Sequence, residues 1–173
     1  MIIPIDKFLE IREQEFPDKK VVATSGWFDP IHPGHISCIM DSKKFGDILV
    51  VIINGDQMAI TKKGKPFMPA SDRAYQVDCI KGVDYTVIYD HPTDYSVIGG
   101  LELVKPDVFT KGGDRDPDDA NNPESPLYKE LKLIESYGGR VEFKVGMDKE
   151  WSSSNYLEEW YQFRKKQEER SSN

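Results

Sequence analysis

His32 and His35 stand three residues apart in the segment Ser25-Gly26-Trp27-Phe28-Asp29-Pro30-Ile31-His32-Pro33-Gly34-His35. Placed across the start of a helix, two histidines at that spacing can aim their imidazole donors at the same phosphate oxygens, where charge developing in a transition state would be stabilised. Pro30 and Pro33 fix the turn, and Gly34 lets a ligand approach the backbone. The helix amino terminus that follows offers N–H groups and the positive end of its dipole, so the turn is an anion site suited to phosphoryl chemistry. The competing structural role is that one histidine caps the helix while the other packs beneath the turn. A closed zinc site lacks ligands, because His91 is the one remaining histidine and the cysteines, Cys38 and Cys79, fall in helical segments without ligand spacing. Neither GxxxxGK(S/T) nor GxGxxG occurs, which excludes the two commonest nucleotide signatures.

Other charged and polar residues extend this reading. Lys43 lies eight residues past His35, about 80° round a helix, and is read as a third cation reaching the phosphates of an incoming nucleotide. Lys62, Lys63 and Lys65 around Gly64 form a basic cluster that either closes over phosphate or is a solvated loop. Arg73 falls in the first turn of its predicted helix, an unfavourable place for a cation without an anion nearby. An acceptor phosphate would explain it, and so would pairing with Asp72 or Asp56. Asp29 either holds a magnesium ion indirectly or orients the turn through backbone N–H groups. Asp114 follows Gly112-Gly113 at a strand end, where binding ribose or a metal competes with capping a polar loop. Ser152, Ser153 and Ser154 precede an amphipathic helix; a serine N-cap explains one of them, and three hydroxyls with helix N–H groups would hold β- and γ-phosphates.

The elements that must position these residues alternate in type. Short β-rich runs at Lys20–Thr24, Asp47–Ile53, Tyr85–Tyr89, Asp107–Thr110 and Val141–Val145 are predicted strands, and the second is too uniformly apolar to have a wet face. Predicted helices cover Ile5–Gln14, Ile36–Phe45, Ser71–Lys81, Tyr95–Val104, Leu127–Tyr137 and Asn155 to Gln167, with Ser71 as an N-cap and Gly46 as a C-cap. This βαβ repetition predicts an α/β fold: a single Rossmann-like domain with a parallel sheet of about five strands and helices on both faces. The first nineteen residues form an amino-terminal helix, 20–163 the core, and 164–173 a tail expected to fray. Gly112–Pro126 is a long polar loop. Tyr156, Leu157, Trp160 and Phe163 are expected on a buried stripe, with Trp160 and Phe163 in core packing or a dimer contact. A strand-to-helix turn in such an open sheet is where ligands bind, and the histidine segment occupies one.

Composition sets the outer limits. The chain has 173 residues, 23 basic and 30 acidic, for a formal net charge of -7, and 38% of its residues are hydrophobic. That much apolar surface excludes general disorder, and the negative balance disfavours nucleic acid and anionic membranes as partners. No secretory signal or apolar run of membrane-spanning length occurs, so a cytoplasmic location is expected. With no CxxC pair, both cysteines are expected as buried free thiols.

The strand followed by GWFDPIHPGH resembles the HxGH nucleotidyltransferase superfamily, the cytidylyltransferase-like enzymes. Further segments are similar in the correct order. Lys43 in Ser42-Lys43-Lys44-Phe45-Gly46-Asp47 occupies the place of a helix lysine, and Ile53-Asn54-Gly55-Asp56 matches the turn after the second strand. Lys63-Gly64-Lys65-Pro66 with Ala70-Ser71-Asp72-Arg73 resembles the mobile loop and the helix start that follows it. Lys105–Asp114 is close to the KPD..VKGGD segment, and Trp151-Ser152-Ser153-Ser154 stands at the serine motif. The resemblance covers residues 20 to 163. Within the superfamily, VVATSGWFDPIHPGH, KPDVFTKGGD and YGGRVEF look most like the adenylyltransferase domain of ADP-heptose synthase. Glycerol-3-phosphate cytidylyltransferases carry an arginine in an RTEGIST-type run, where this chain has Met147-Asp148-Lys149-Glu150-Trp151. Trp27 replaces a small residue, and the Asp116–Pro126 loop is longer than in the heptose enzymes, both of which imply a reshaped acceptor pocket.

The resemblance implies transfer of a nucleoside monophosphate from an NTP, with ATP favoured, to a sugar phosphate or similar small acceptor, with Mg²⁺ as cofactor and release of pyrophosphate. His32, His35 and Lys43 would be catalytic. Ser25, Gly26, Trp27, Phe28, Asp29, Gly34, Lys111, Gly112, Asp114 and the three serines would bind nucleotide, while Asn54, Lys63, Lys65 and Arg73 would bind the acceptor. A homodimer is usual among the enzymes it resembles. The alternatives are a CTP-dependent enzyme acting on a polyol phosphate or phosphonate, and a nucleotide-binding module that has lost turnover.

Overall fold

The computed structural model describes residues 1–113, 118, 121–123, 125–148 and 152–171. Its strands are β1 (Val21–Gly26), β2 (Ile48–Asn54), β3 (Tyr85–Tyr89), β4 (Val108–Gly112) and β5 (Arg140–Val145), and they form one sheet in the order β3-β2-β1-β4-β5. Every pairing is parallel, with Val22 opposite both Leu49 and Val108. Leu49 to Ile53 are fully buried, as a continuous apolar run demands when strands flank it on both sides and helices cover both faces. The helices are α1 (Phe8–Glu15), α2 (Pro33–Ser42), α3 (Asp56–Lys63), α4 (Ala70–Asp78), α5 (Ile98–Val104), α6 (Pro126–Ser136) and α7 (Ser153–Ser171).

Alternate strand residues feed two cores. Ala23, Ile52, Val87 and Phe109 pack with Phe8, Leu101, Val104 and Ile134 from α1, α5 and α6. Val22, Val51, Ile53 and Val108 face the other way, onto Ile39, Ala74 and Val77 of α2 and α4. The chain runs outward from β1 through β2 to β3, then returns through α5 to β4 on the other side of β1. The strand order therefore reverses between β1 and β4, and the loop after β1 opens into the crevice this creates.

Several expectations are corrected. Asp56–Lys63, absent from the predicted helices, is one, because the Asp90 carboxylate accepts the orphan N–H groups of Gln57 (3.2 Å) and Met58 (3.0 Å) from 33 and 32 residues away. Ser71 is not the N-cap of α4: the helix begins at Ala70, whose N–H donates to Asp56 Oδ1 at 2.9 Å. α2 starts at Pro33, a good first helical residue, and ends at Ser42 before a separate 3₁₀ turn, Lys43–Phe45. α5 begins only at Ile98, after Ser96 donates from backbone and hydroxyl to Asp94. α7 includes Arg164 to Ser171, residues expected to form a separate tail. Of the cysteines, Cys38 is half-buried and Cys79 is exposed, so only the first approaches the expected environment. Burial pushes the Cys38 thiol upward, away from reactivity.

Candidate active site

The histidine segment turns from β1 into α2 at the carboxyl edge of the sheet. Phe28 adopts φ +49, a region that a side chain occupies only when its surroundings hold it there. Its ring lies edge-on to His35, with centroids 5.1 Å apart, and so close to Gly26 that a Cβ there would sit 2.9 Å from Phe28 Cζ. His32 is the N-cap residue of α2, and its ring stacks on His35 with centroids 3.7 Å apart and planes at 27°. The two imidazoles thus stand side by side at a helix amino terminus whose first N–H groups have no intrahelical acceptor. Nδ1 of His35 is buried and has no hydrogen-bond partner among the described residues. Burial, followed by the nearby His32 and Lys63, pushes the His35 pKa down to about 3, so the ring is neutral at pH 7.

A buried polar column fixes α2 on the sheet. Thr24 donates to the Thr110 carbonyl at 3.2 Å, the Ser42 and Thr110 hydroxyls are 2.7 Å apart, and Ser42 also donates to the Cys38 carbonyl at 2.7 Å. From the far side, Met147 N donates to Ser37 Oγ at 2.9 Å, and Gly146, at φ +92, approaches so closely that a Cβ would lie 2.6 Å from Cys38 N. Nothing in the local sequence of Thr24, Ser42 or Thr110 announces this column, because its members meet only across the sheet.

Asp29 and Arg73 brace the loops around the histidines. Asp29 is 2% exposed, and its two oxygens accept Phe67 N (2.9 Å) and Met68 N (2.8 Å), clamping the loop after α3 onto the histidine turn. Of the two roles open to Asp29, the structure displays the orienting one, each oxygen accepting one backbone N–H. The described residues include no group of three or more His, Cys, Asp or Glu that could hold a metal ion. Arg73 is fully buried and donates to the carbonyls of Met68 (2.9 Å), Trp27 (2.7 Å) and Asn54 (2.8 Å) and to Asp56 Oδ1 (2.8 Å). The guanidinium is thus spent on tying the ends of β1 and β2 to α4. Its expected role on an acceptor phosphate is corrected to that of a brace paired with Asp56. Asn54 is itself buried and contributes its carbonyl to this brace.

Lys63 does reach the site. Its ammonium lies 5.1 Å from the Trp27 ring centroid and close enough to His35 to lower that ring's pKa, while desolvation pulls Lys63 below the ordinary lysine range. Lys62 lies between Trp27 (5.3 Å) and Tyr95 (5.4 Å), an aromatic that sequence reading did not single out. Lys65 is exposed on the following loop. At the other wall, Ser153 Oγ donates to the Pro30 carbonyl at 2.8 Å, and the Tyr156 ring lies 6.3 Å from His32. Ser152 forms a reciprocal cap with Asn155, accepting Asn155 N (3.3 Å) while Asn155 Oδ1 accepts Ser152 N (3.1 Å), and Ser154 is exposed. Ser25, Gly26, Trp27, Phe28 and Gly34 belong to the turn itself.

Two expected residues do not join them. Lys43 pairs with Asp84 and donates to the Asp47 carbonyl, just before β2 and β3 begin, so it stands at the opposite edge of the sheet. The 80° argument counted rotation and neglected rise: eight residues carry the chain about 12 Å along the helix. Lys111 points to the α6 side, held by buried Glu130 at 2.6 Å and over the Phe109 ring at 4.4 Å. Gly112 backs onto Cys38, where a Cβ would meet its sulfur at 2.6 Å. Asp114 and Trp151 lie outside the described residues.

Comparison with known proteins agrees with this geometry. The profile of the family described as cytidylyltransferase-like matches residues 23–167. Curated relatives named bifunctional protein HldE include one from Geobacter metallireducens, 36% identical over 140 residues, and one from Geotalea uraniireducens, 35% identical over 150. These matches cover 80% and 86% of this chain but only 26% and 28% of the relatives, so the chain spans about a quarter of their length. A crystal structure titled as the lipopolysaccharide core biosynthesis protein from Thermoplasma volcanium superposes with TM-score 0.59 and 28% identity, covering 76% of this chain and 99% of that one. A pantoate-beta-alanine ligase from Francisella tularensis, at 15% identity and TM-score 0.63 over 91% of this chain and 72% of its own, shares the fold. The motif after β1, the parallel sheet and the profile match over most of the chain converge, and the chain belongs to the cytidylyltransferase-like family.

Proposed function

We propose that the chain transfers the nucleoside monophosphate of an NTP, ATP by preference, to a sugar phosphate or similar small phosphorylated acceptor. An acceptor phosphate oxygen attacks the α-phosphorus in line, the bond from that phosphorus to the bridging oxygen breaks, and pyrophosphate leaves with the electron pair. No protein nucleophile is needed, so catalysis is positioning and charge neutralisation. The observation that carries this reading is the stacked His32–His35 pair at the start of α2, with the buried Nδ1 of His35 lacking a hydrogen-bond partner among the described residues. A neutral imidazole there gains affinity for a proton as negative charge arrives, so anion binding and protonation of His35 reinforce each other.

Lys63, held against Trp27, takes the place that spacing suggested for Lys43. Ser153, tied to the histidine turn through the Pro30 carbonyl, and its neighbour Ser152 stand on the side proposed for the leaving pyrophosphate. Mg²⁺, when bound with the nucleotide, would neutralise phosphate charge beside these residues. The preference for ATP rests on the similarity to the ADP-heptose synthase domain and on relatives named bifunctional protein HldE. The sugar phosphate is supported by the same relatives and by the lipopolysaccharide title of the Thermoplasma structure.

Pyrophosphate release with Mg²⁺, measured for ATP, CTP, GTP and UTP against sugar phosphates, polyol phosphates and phosphonates, tests the proposal. Release with ATP and a sugar 1-phosphate is expected. Release with CTP and a polyol phosphate or phosphonate would overturn the assignment of base and acceptor, and NTP binding without release on any acceptor would overturn the assignment of turnover.

A further inference from the structure

Lys62 and Lys63 close α3, where cations complement the negative end of the helix dipole. Successive residues leave a helix about 100° apart, so the two stems set out in different directions. Both ammoniums nevertheless lie over one indole, that of Trp27, at 5.3 Å and 5.1 Å from its centroid. Lys62 is also 5.4 Å from the Tyr95 ring, which places it between two aromatics. Lys63 is near enough to His35 to join burial and His32 in depressing that imidazole's pKa. The dipole alone accounts for two basic residues in the last turn of α3, and it does not account for their convergence on one ring.

The indole stands on a braced backbone. The Trp27 carbonyl accepts Arg73 Nη1 at 2.7 Å, and the same buried guanidinium holds the Asn54 carbonyl at the end of β2. The next residue, Phe28, is held at φ +49 with its ring edge-on to His35. Consecutive residues of one turn therefore serve two different groups: Phe28 packs on the imidazole and Trp27 on the ammonium. A ring face attracts a cation most strongly where water is scarce, and desolvation holds Lys63 below the ordinary lysine range. A lysine stem is long and freely rotating, so an ammonium held in advance loses less freedom when an anion binds.

We propose that Trp27 is a positioning residue for phosphate binding, its indole holding the Lys63 ammonium beside His35 before the nucleotide arrives. The inference rests on the reading of the crevice as the phosphate site, and it adds a residue that acts on the phosphates only through another side chain.

Calorimetric titration of the full chain with inorganic triphosphate tests this without choosing a base or an acceptor. Lys63→Met should weaken binding about tenfold. Trp27→Leu, which stays apolar but removes the ring face, should weaken it about fivefold, and Trp27→Phe, which keeps a ring face, should stay within about twofold of the wild type. Arg73 holds Trp27 by its main chain, so both substitutions leave the brace in place. The decisive variant combines Trp27→Leu with Lys63→Met. If Trp27 acts through Lys63, the pair binds no worse than Lys63→Met alone, about tenfold below the wild type. Independent contributions would multiply to about fiftyfold and would overturn the inference. Wild-type affinity in Trp27→Leu would also overturn it, as would a Trp27→Phe protein as weak as Trp27→Leu. A wild type that binds no triphosphate would overturn the reading of the crevice as well, so the wild-type titration tells the two failures apart.

Discussion

The two edges of the sheet use the same residue types to opposite ends. At the amino edge Asp84 accepts Leu49 N at 2.7 Å and pairs with Lys43, while Asp107 accepts Val21 N at 2.6 Å and pairs with Arg12 at 2.9 Å. These charges close on a partner that begins a strand. At the carboxyl edge His35 keeps a buried nitrogen without a hydrogen-bond partner among the described residues and Lys63 is held below its ordinary pKa, whereas the buried hydroxyl left without one at the amino edge, that of Tyr137, lies beside Asp107 and Arg12. Unmet polar capacity in a crevice is what a ligand can complete, whereas satisfied capacity only holds the fold. Arg73 shows that the distinction follows partners rather than place, because it lies at the carboxyl edge and is nonetheless fully committed to the protein.

Arg73→Leu should therefore have the largest effect, and on stability. Removing the guanidinium strands the buried carbonyls of Trp27 and Asn54, at a cost of about 3 kcal/mol or more. Thermal unfolding should shift down by about 6 °C or more for a chain of this size. A shift within about 2 °C would mean that these carbonyls find water and that the brace is dispensable. Next in size, His32→Ala and His35→Ala should each lower kcat by about 10² or more, as loss of an oxyanion donor does, with the helix content of the protein retained. Turnover near that of the wild type after His32→Ala would sink the catalytic assignment.

The pH dependence sharpens the comparison from the side of stability. The folded His35 titrates at about 3 against an ordinary 6.5, so below pH 6.5 the unfolded chain takes up a proton that the folded chain refuses. This contribution is fully present above pH 6.5 and is lost as pH falls towards 3, at up to about 1.4 kcal/mol per pH unit. Denaturant unfolding at pH 7, 6 and 5 should show a steeper loss for the wild type than for His35→Gln. Equal slopes would mean that His35 is charged in the folded protein.

What the sequence made legible followed from periodicity and local chemistry. All five strands are recognisable because β-rich runs alternate with helical ones, and the histidine turn is recognisable because its prolines, glycines and histidines are contiguous. The parts that escaped depend on contacts distant in sequence. The start of α3 is capped by Asp90, the start of α4 by Asp56, and α2 rests on a hydroxyl from β4. The aromatic stripe of α7 was read correctly as a stripe and wrongly as buried, since a period identifies a face and says nothing of what covers it.

Lys43 and Lys63 pose the same problem at the scale of single residues, and their substitution is the finest test of the two edges. Both are lysines near a helix end, and rotation alone favoured Lys43. The geometry separates them, for Lys43 is closed on Asp84 and Asp47 whereas Lys63 lies against Trp27 beside His35. Losing a charge-assisted contact to phosphate costs about 1.5 kcal/mol, so Lys63→Met should lower kcat/KM for nucleotide roughly tenfold with little change in unfolding. Lys43→Met should do the reverse, leaving kcat/KM within about twofold and lowering stability by about 1 kcal/mol or less, because its ion pair is only half-buried. If Lys43→Met cost the larger share of kcat/KM, completeness of partners would no longer separate structural from functional charge in this molecule.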